Sequence, residues 1–136
     1  AFYKDLLGFE ITQQYGDSAV FISAGGYHHH IGLNTWHSKN AGPAPVRTTG
    51  LYHVAILYPT RKDLATIFKR LEEAGYPLTG ASDHGVSEAI YLNDPDGNGI
   101  ELYWDRPKDS WPKDNAGNLW MGTKALDLDS LLNELA

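Results

Sequence analysis

The feature that most constrains this chain is a repeated succession of elements. Residues 61–75, RKDLATIFKRLEEAG, place Leu64, Ile67, Phe68 and Leu71 on one helical face and end at Gly75. The opening residues, AFYKDLLGFE, do the same in shorter form, with Phe2, Leu6 and Phe9 at helical spacing and Gly8 at the C-cap position. Gly8-Phe9-Glu10-Ile11 then matches Gly75-Tyr76-Pro77-Leu78, and each runs on into strand patterns. Behind the first come EITQQYG and AVFISA, joined at Gly16-Asp17, and YHHHIGLNTW, entered through Gly25-Gly26. Behind the second come YPLTG, EAIYLND and GIELYW, the last two separated by the turn DPDGNG.

A further strand pattern, LYHVAIL, precedes the second helix, so the second half reads βαβββ and the first half reads the same without its opening strand. His53 stands 22 positions before Gly75, and 22 positions before Gly8 falls ahead of residue 1, so the strand matching that of His53 is expected outside this sequence. A helix that begins without a start signal suggests a truncated chain.

The expected fold is α+β: paired βαβββ modules forming a half-open barrel, each sheet covered by its helix on one face and lining a cleft with the other. With 136 residues, 42% of them hydrophobic, the chain has room for one such domain over residues 1–106. Module 1 spans about 1–36, a Pro- and Gly-rich linker 37–49, and module 2 about 50–106. Residues 107–136 form an extension, held extended by Pro107 and Pro112 and closing in a short helix from about Asp127. Its stripe of Leu128, Leu131, Leu132 and Leu135 is expected to dock on the domain or on a second subunit, and no chemistry is expected there.

Alternation assigns the faces of module 2. Val54, Ile56, Ile90, Leu92, Ile100 and Leu102 turn to the helix, and His53, Tyr91, Glu101 and Tyr103 turn to the cleft. Polar tips on a concave face are costly to bury without a use, although solvation or mutual pairing also accounts for them. The net charge of −6 and the lack of any Lys/Arg cluster argue against nucleic acid and against an anionic membrane surface. With no cysteine, a metal would rest on His, Asp or Glu. No apolar run approaches membrane-spanning length and no signal peptide opens the chain, so a cytoplasmic protein is expected.

The repeated module, FYKDLLGFE in the first half and DPDGNGIELYW in the second resemble the vicinal oxygen chelate superfamily over residues 1 to about 106. That group includes glyoxalase I, bleomycin and fosfomycin resistance proteins, and extradiol ring-cleaving dioxygenases. The resemblance implies a metal held between paired sheets, with His53 matching the first-strand ligand of module 2 and Glu101 the last-strand carboxylate. A histidine on the absent opening strand would complete a 2-His-1-carboxylate set for Fe(II), with Mn(II) as the alternative.

The triple histidine is narrowed by the same resemblance. Extradiol dioxygenases have a non-ligand histidine in this strand that helps move protons, and their local pattern matches His29, Gly32 and Leu33. Alternation dissents: with Ile31 and Leu33 toward the helix, His28 and His30 would face the cleft. A kink at the strand entry near Gly25-Gly26 would reconcile the two. His29 is taken as the acid–base group with His30 in reserve, the alternative being that the cluster is a solvated strand end. The family tyrosine ten residues before the carboxylate is matched by Tyr91, whose phenol would donate to a substrate oxygen, although a strand tyrosine is also an ordinary packing residue. His84, in the loop entering that strand, is left outside the set.

GGYHHHIGLNTW and SDHGVSEAIYLNDPDGNGIELYWDRP are similar to segments of catechol 2,3-dioxygenase-like proteins. The activity implied is cleavage of a small aromatic diol beside its hydroxyls with O2, in the catabolism of aromatic compounds. Two other classes remain open. A glyoxalase-like isomerase or lyase would use a metal for enolate stabilisation, against which residues 27–34 offer no acid. A metal-free binding protein of the bleomycin-resistance kind would use aromatic walls such as Trp36, Tyr103 and Trp104. A homodimer is compatible with each of these readings, since modules in this superfamily sometimes pair across subunits.

Overall fold

A computed structural model describes residues 1–136, which form two compact units, Ala1–Thr49 and Gly50–Ala136. The first holds a three-stranded antiparallel sheet in the order β1-β2-β3: β1 is Glu10–Tyr15, β2 Ala19–Ser23 and β3 Ile31–Asn34. The opening helix is not an α-helix but a five-residue π-helical turn, Phe2–Leu6, in which Leu7 N–H donates to the Phe2 carbonyl at 3.0 Å. So short a segment gains too little from intrahelical bonds to impose regular α winding. Phe2, Leu7 and Phe9 are buried with Ala19 and Ile22, and Phe2, Tyr3 and Phe9 meet edge to face in succession.

The second unit holds a five-stranded sheet in the order β4-β7-β6-β5-β8, with β4 His53–Leu57, β5 Leu78–Asp83, β6 Ser87–Asn93, β7 Gly99–Asp105 and β8 Lys124–Ala125. Neither sheet closes into a barrel. Helix α1, Arg61–Glu73, starts in a reciprocal capping box, Thr60 accepting from Asp63 N–H while the Asp63 carboxylate accepts from Thr60 N–H. Leu64, Ala65, Ile67, Phe68 and Leu71 form its buried face. They belong to one core with Ile90, Leu92, Ile100 and Leu102, which are at most 1% exposed. The alternation expected from sequence therefore holds along β6 and β7; on β4, an edge strand, Val54 and Ile56 are only half-buried.

The hairpin β6–β7 sets the register on which the site depends. Asp94 accepts from the backbone N–H groups of Asp96 and Asn98 at 2.9 and 2.8 Å, and Asn98 Nδ2 donates to its second oxygen at 2.8 Å. This closed loop pairs Asn93 with Gly99, so Tyr91 faces Glu101 two residues further along each strand. β4 runs parallel to β7 and puts His53 opposite Gly99. A Cβ at position 99 would run into the Tyr52 carbonyl and stand 3.0 Å from His53 Cβ, so glycine is what lets the two strands approach here.

Residues 107–136 belong to the second unit. Their helix α2, Leu128–Leu132, is capped by Asp127 accepting from Ser130 N–H, and it packs on α1 with Leu131 fully buried. Arg61 joins the two, donating to Glu88 at 2.7 Å, to the Ser130 carbonyl at 3.2 Å and to Glu134 at 2.8 Å. No helix is long and apolar enough to cross a membrane.

Candidate active site

Three residues singled out by sequence converge in the second unit. His53 opens β4, Tyr91 lies on β6 and Glu101 on the central strand β7 between them. His53 Nε2 is 2.9 Å from Glu101 Oε2, with the side chains 31% and 14% exposed. The Tyr91 hydroxyl donates to the other carboxylate oxygen, Oε1, at 3.0 Å. Burial, reinforced by the bond to Glu101, pushes the Tyr91 phenol up to about 12, so it keeps its proton at neutral pH and acts as a donor. Tyr103, on the same face of β7, is also shifted upward, first by burial and then by Asp105 and Glu101.

The chain of contacts runs one residue further than sequence reasoning placed it. His84 Nε2 lies 2.7 Å from the Tyr91 hydroxyl, and its Nδ1 is 2.9 Å from the carbonyl of Gly122. His84, outside the set expected from sequence, is thus in the same hydrogen-bonded line as the candidate ligands. The extension, for which no chemistry was expected, supplies a backbone acceptor to that line. The turn carrying His84 is held by Asp83, whose carboxylate accepts from Gly85 N–H at 2.8 Å and from Arg106 at 2.7 and 3.0 Å. The Arg106 guanidinium, more than any other partner, holds the Asp83 carboxyl below the usual carboxylate range.

The triple histidine lies in the first unit, immediately before β3. Consecutive left-handed glycines, Gly25 (φ 73°) and Gly26 (φ 79°), end β2 and turn the chain, and bends at His28 and His30 break the alternation. The His29 ring packs edge-on against Phe21 at 5.0 Å, and its Nδ1 is 2.8 Å from His28 Nδ1. Both line a shallow concavity of about 430 Å³ with Thr12, Gln13, Tyr15 and Phe21. His30 is engaged elsewhere: its Nδ1 accepts from Ala24 N–H at 3.2 Å and is 3.0 Å from the hydroxyl of buried Ser23. Of the three, His28 and His29 are the pair that lines a cavity, and His30 reads as a structural strand-end residue.

An imidazole nitrogen and a carboxylate oxygen converging within hydrogen-bond distance suit two positions of a borderline divalent cation, the cation taking the place of the shared proton. No group of three or more His, Asp or Glu side chains converges anywhere in the chain. His53 and Glu101 fit a metal as two of its ligands. The aromatic wall suggested for a metal-free binding protein does not form as a unit, because Tyr103 and Trp104 are consecutive in β7 and point to opposite faces.

The chain belongs to the Glyoxalase/Bleomycin resistance protein/Dioxygenase superfamily, whose sequence pattern matches residues 1–102. It is 43% identical over 134 residues to a catechol-2,3-dioxygenase of Bacillus subtilis (strain 168), covering 98% of this chain and 46% of that protein. It is 32% identical over 106 residues to a biphenyl-2,3-diol 1,2-dioxygenase of Rhodococcus globerulus, covering 76% of this chain and 54% of the relative. The chain therefore spans about half the length of the curated relatives it matches. Among solved structures, a glyoxalase/dioxygenase from Nostoc punctiforme matches with a TM-score of 0.62 at 16% identity, covering 78% of this chain and 80% of that one. A lactoylglutathione lyase from Agrobacterium tumefaciens matches with a TM-score of 0.57 at 21% identity, covering 76% and 80%. At such identities these two speak to the fold alone.

Proposed function

We propose that this chain carries half or more of the active site of an extradiol ring-cleaving dioxygenase, which opens a catechol-like aromatic diol with O2. The observation that carries the reading is the line His53–Glu101–Tyr91, in which an imidazole, a carboxylate and a protonated phenol meet on one sheet face. Relatives named as catechol and biphenyl-diol dioxygenases support it.

His53 and Glu101 would hold the metal, Fe(II) with Mn(II) as alternative. When bound, it would supply the positive charge that acidifies a diol hydroxyl and the redox chemistry that couples dioxygen to the ring. The chain's own residues do the rest. Tyr91 keeps its proton and offers it as a hydrogen bond to a substrate oxygen, stabilising negative charge there without becoming charged itself. Glu101 Oε1 fixes the direction of that hydroxyl. His29, with a ring exposed along the concavity of the first unit, is the group we assign to proton transfer with the substrate.

The deciding experiment is metal analysis of anaerobically purified protein followed by oxygen uptake with a small panel of catechols. Iron with uptake and a yellow ring-fission product supports the reading, and changing His53 or Glu101 abolishes both metal and uptake. Protein that holds no metal and consumes no oxygen with any catechol would overturn it.

A further inference from the structure

We propose that the Trp120–Gly122 segment of the C-terminal extension is a positioning element for this site. It fixes the ring proton of His84 on Nδ1 and so turns a bare Nε2 toward the Tyr91 hydroxyl. The tautomer follows from the contacts alone; only its bearing on catalysis rests on the dioxygenase reading.

A backbone carbonyl can only accept, so the 2.9 Å contact between His84 Nδ1 and the Gly122 oxygen requires the proton to sit on Nδ1. The same glycine returns a bond, its N–H donating to the His84 carbonyl at 3.1 Å, so residues 84 and 122 are clamped at two points. Trp120 secures the clamp. Its N–H donates to the Pro112 carbonyl at 3.0 Å. Its ring lies over Gly122, where any Cβ would collide with it, and 3.4 Å from where a Cβ on Gly85 would stand. Gly122, at the acceptor, is what makes room for the indole, and Gly85, beside His84, makes room for the Pro112 ring, which a Cβ there would meet at 2.8 Å. This segment lies beyond the residues matched by the superfamily pattern, which end at 102.

The consequence concerns one proton. In the neutral ring Nε2 is bare, so the single proton of the Tyr91 hydroxyl has two acceptors, His84 Nε2 at 2.7 Å and Glu101 Oε1 at 3.0 Å. Tyr91 can swing its proton from the carboxylate to the imidazole without losing it, freeing the carboxylate oxygen. With the opposite tautomer Nε2 would itself donate, and the hydroxyl would be confined to Glu101.

The test is nitrogen NMR of the histidine rings in metal-free, full-length protein, recorded where the His84 titration has reached its neutral plateau. The expected result is the Nδ1–H tautomer in the wild type and in Tyr91→Phe, since the carbonyl and not the phenol sets it. Gly122→Ala should convert most of the signal to Nε2–H, and adding Trp120→Ala, which relieves the collision, should return it to Nδ1–H. A neutral wild-type ring carrying its proton on Nε2 would overturn the proposal even if the glycine variant does not fold, and so would conversion of the tautomer by Tyr91→Phe. The measurement uses neither metal nor substrate. A Nδ1–H ring in protein that takes up no oxygen therefore defeats the dioxygenase reading alone, and a Nε2–H ring in active protein defeats this one alone.

Discussion

Replacing Glu101 by Gln separates a metal ligand from an ordinary ion pair. The amide keeps the side chain's shape and an oxygen to accept from Tyr91, removes the charge, and puts an NH2 donor in place of the oxygen that faces His53. In the folded chain Glu101 Oε2 stands 2.9 Å from His53 Nε2, with the two side chains 14% and 31% exposed. That lies between an exposed pair, worth roughly 0–1 kcal/mol, and a buried one, whose attraction is largely offset by desolvation. The metal-free variant should therefore lose about 1 kcal/mol, which in a chain of this size lowers Tm by about 3 °C. The effect on metal binding is of another order. A cation at a hundredfold excess over its Kd stabilises the native state by roughly 2.7 kcal/mol, and the variant should show almost none of this at the same concentration. The assay is thermal unfolding of both proteins with and without Mn(II), which avoids oxidation during the scan. A Mn(II)-induced rise in Tm that is equal in the two proteins would refute the reasoning, because Glu101 would then be a structural partner of His53 and nothing more.

The remaining expectations test other parts of the account. His29→Asn should lower oxygen uptake by about 10²–10⁴-fold with metal content unchanged, the range for a lost acid–base group. His30→Asn should instead cost about 1 kcal/mol of stability, by breaking the bonds to Ala24 and Ser23, with uptake retained; equal effects of the two on uptake would contradict the assignment. Leu64→Ala, at a fully buried position, should destabilise by about 2–5 kcal/mol in urea titration, and a loss below about 1 kcal/mol would mean that α1 is not seated on the sheet as described. Asp83 is depressed in the folded state, mainly by Arg106, so its contribution is present above the unfolded carboxylate value and is lost as pH falls through the lower folded value. The urea midpoint should consequently drop below about pH 4 in the wild type and drop less in Asp83→Asn; identical pH profiles would remove Asp83 from the account.

What could be seen in the sequence follows from how local its causes are. The ten-residue separation of Tyr91 and Glu101 is a hairpin register: a loop centred on Asp96 and closed by Asp94 and Asn98 makes residues 91 and 101 direct partners, so the spacing alone is enough to bring them together. The helical face of α1 and the alternation in β6 and β7 are equally local, because each is one period of the chain repeated against one core. His29 was harder. Its side depends on where β3 begins, and two left-handed glycines and two bends put that start at Ile31, so alternation carried back through the histidines counts from the wrong place. The first helix was visible as an apolar spacing, but its winding was not, since five residues gain too little from either ladder to choose one by periodicity. The clamp on His84 left no side-chain signature: its acceptor is a main-chain carbonyl 38 residues away, in the part of the extension that precedes its leucine stripe and has no periodicity. The glycines at 85 and 122 become meaningful once the chain is folded, when the volume they leave is seen to be filled by the Pro112 ring and the Trp120 indole. A site whose proposed metal-binding half is written in strand register, and whose proposed proton-directing half is written in one backbone carbonyl, is therefore legible from sequence only in its first half.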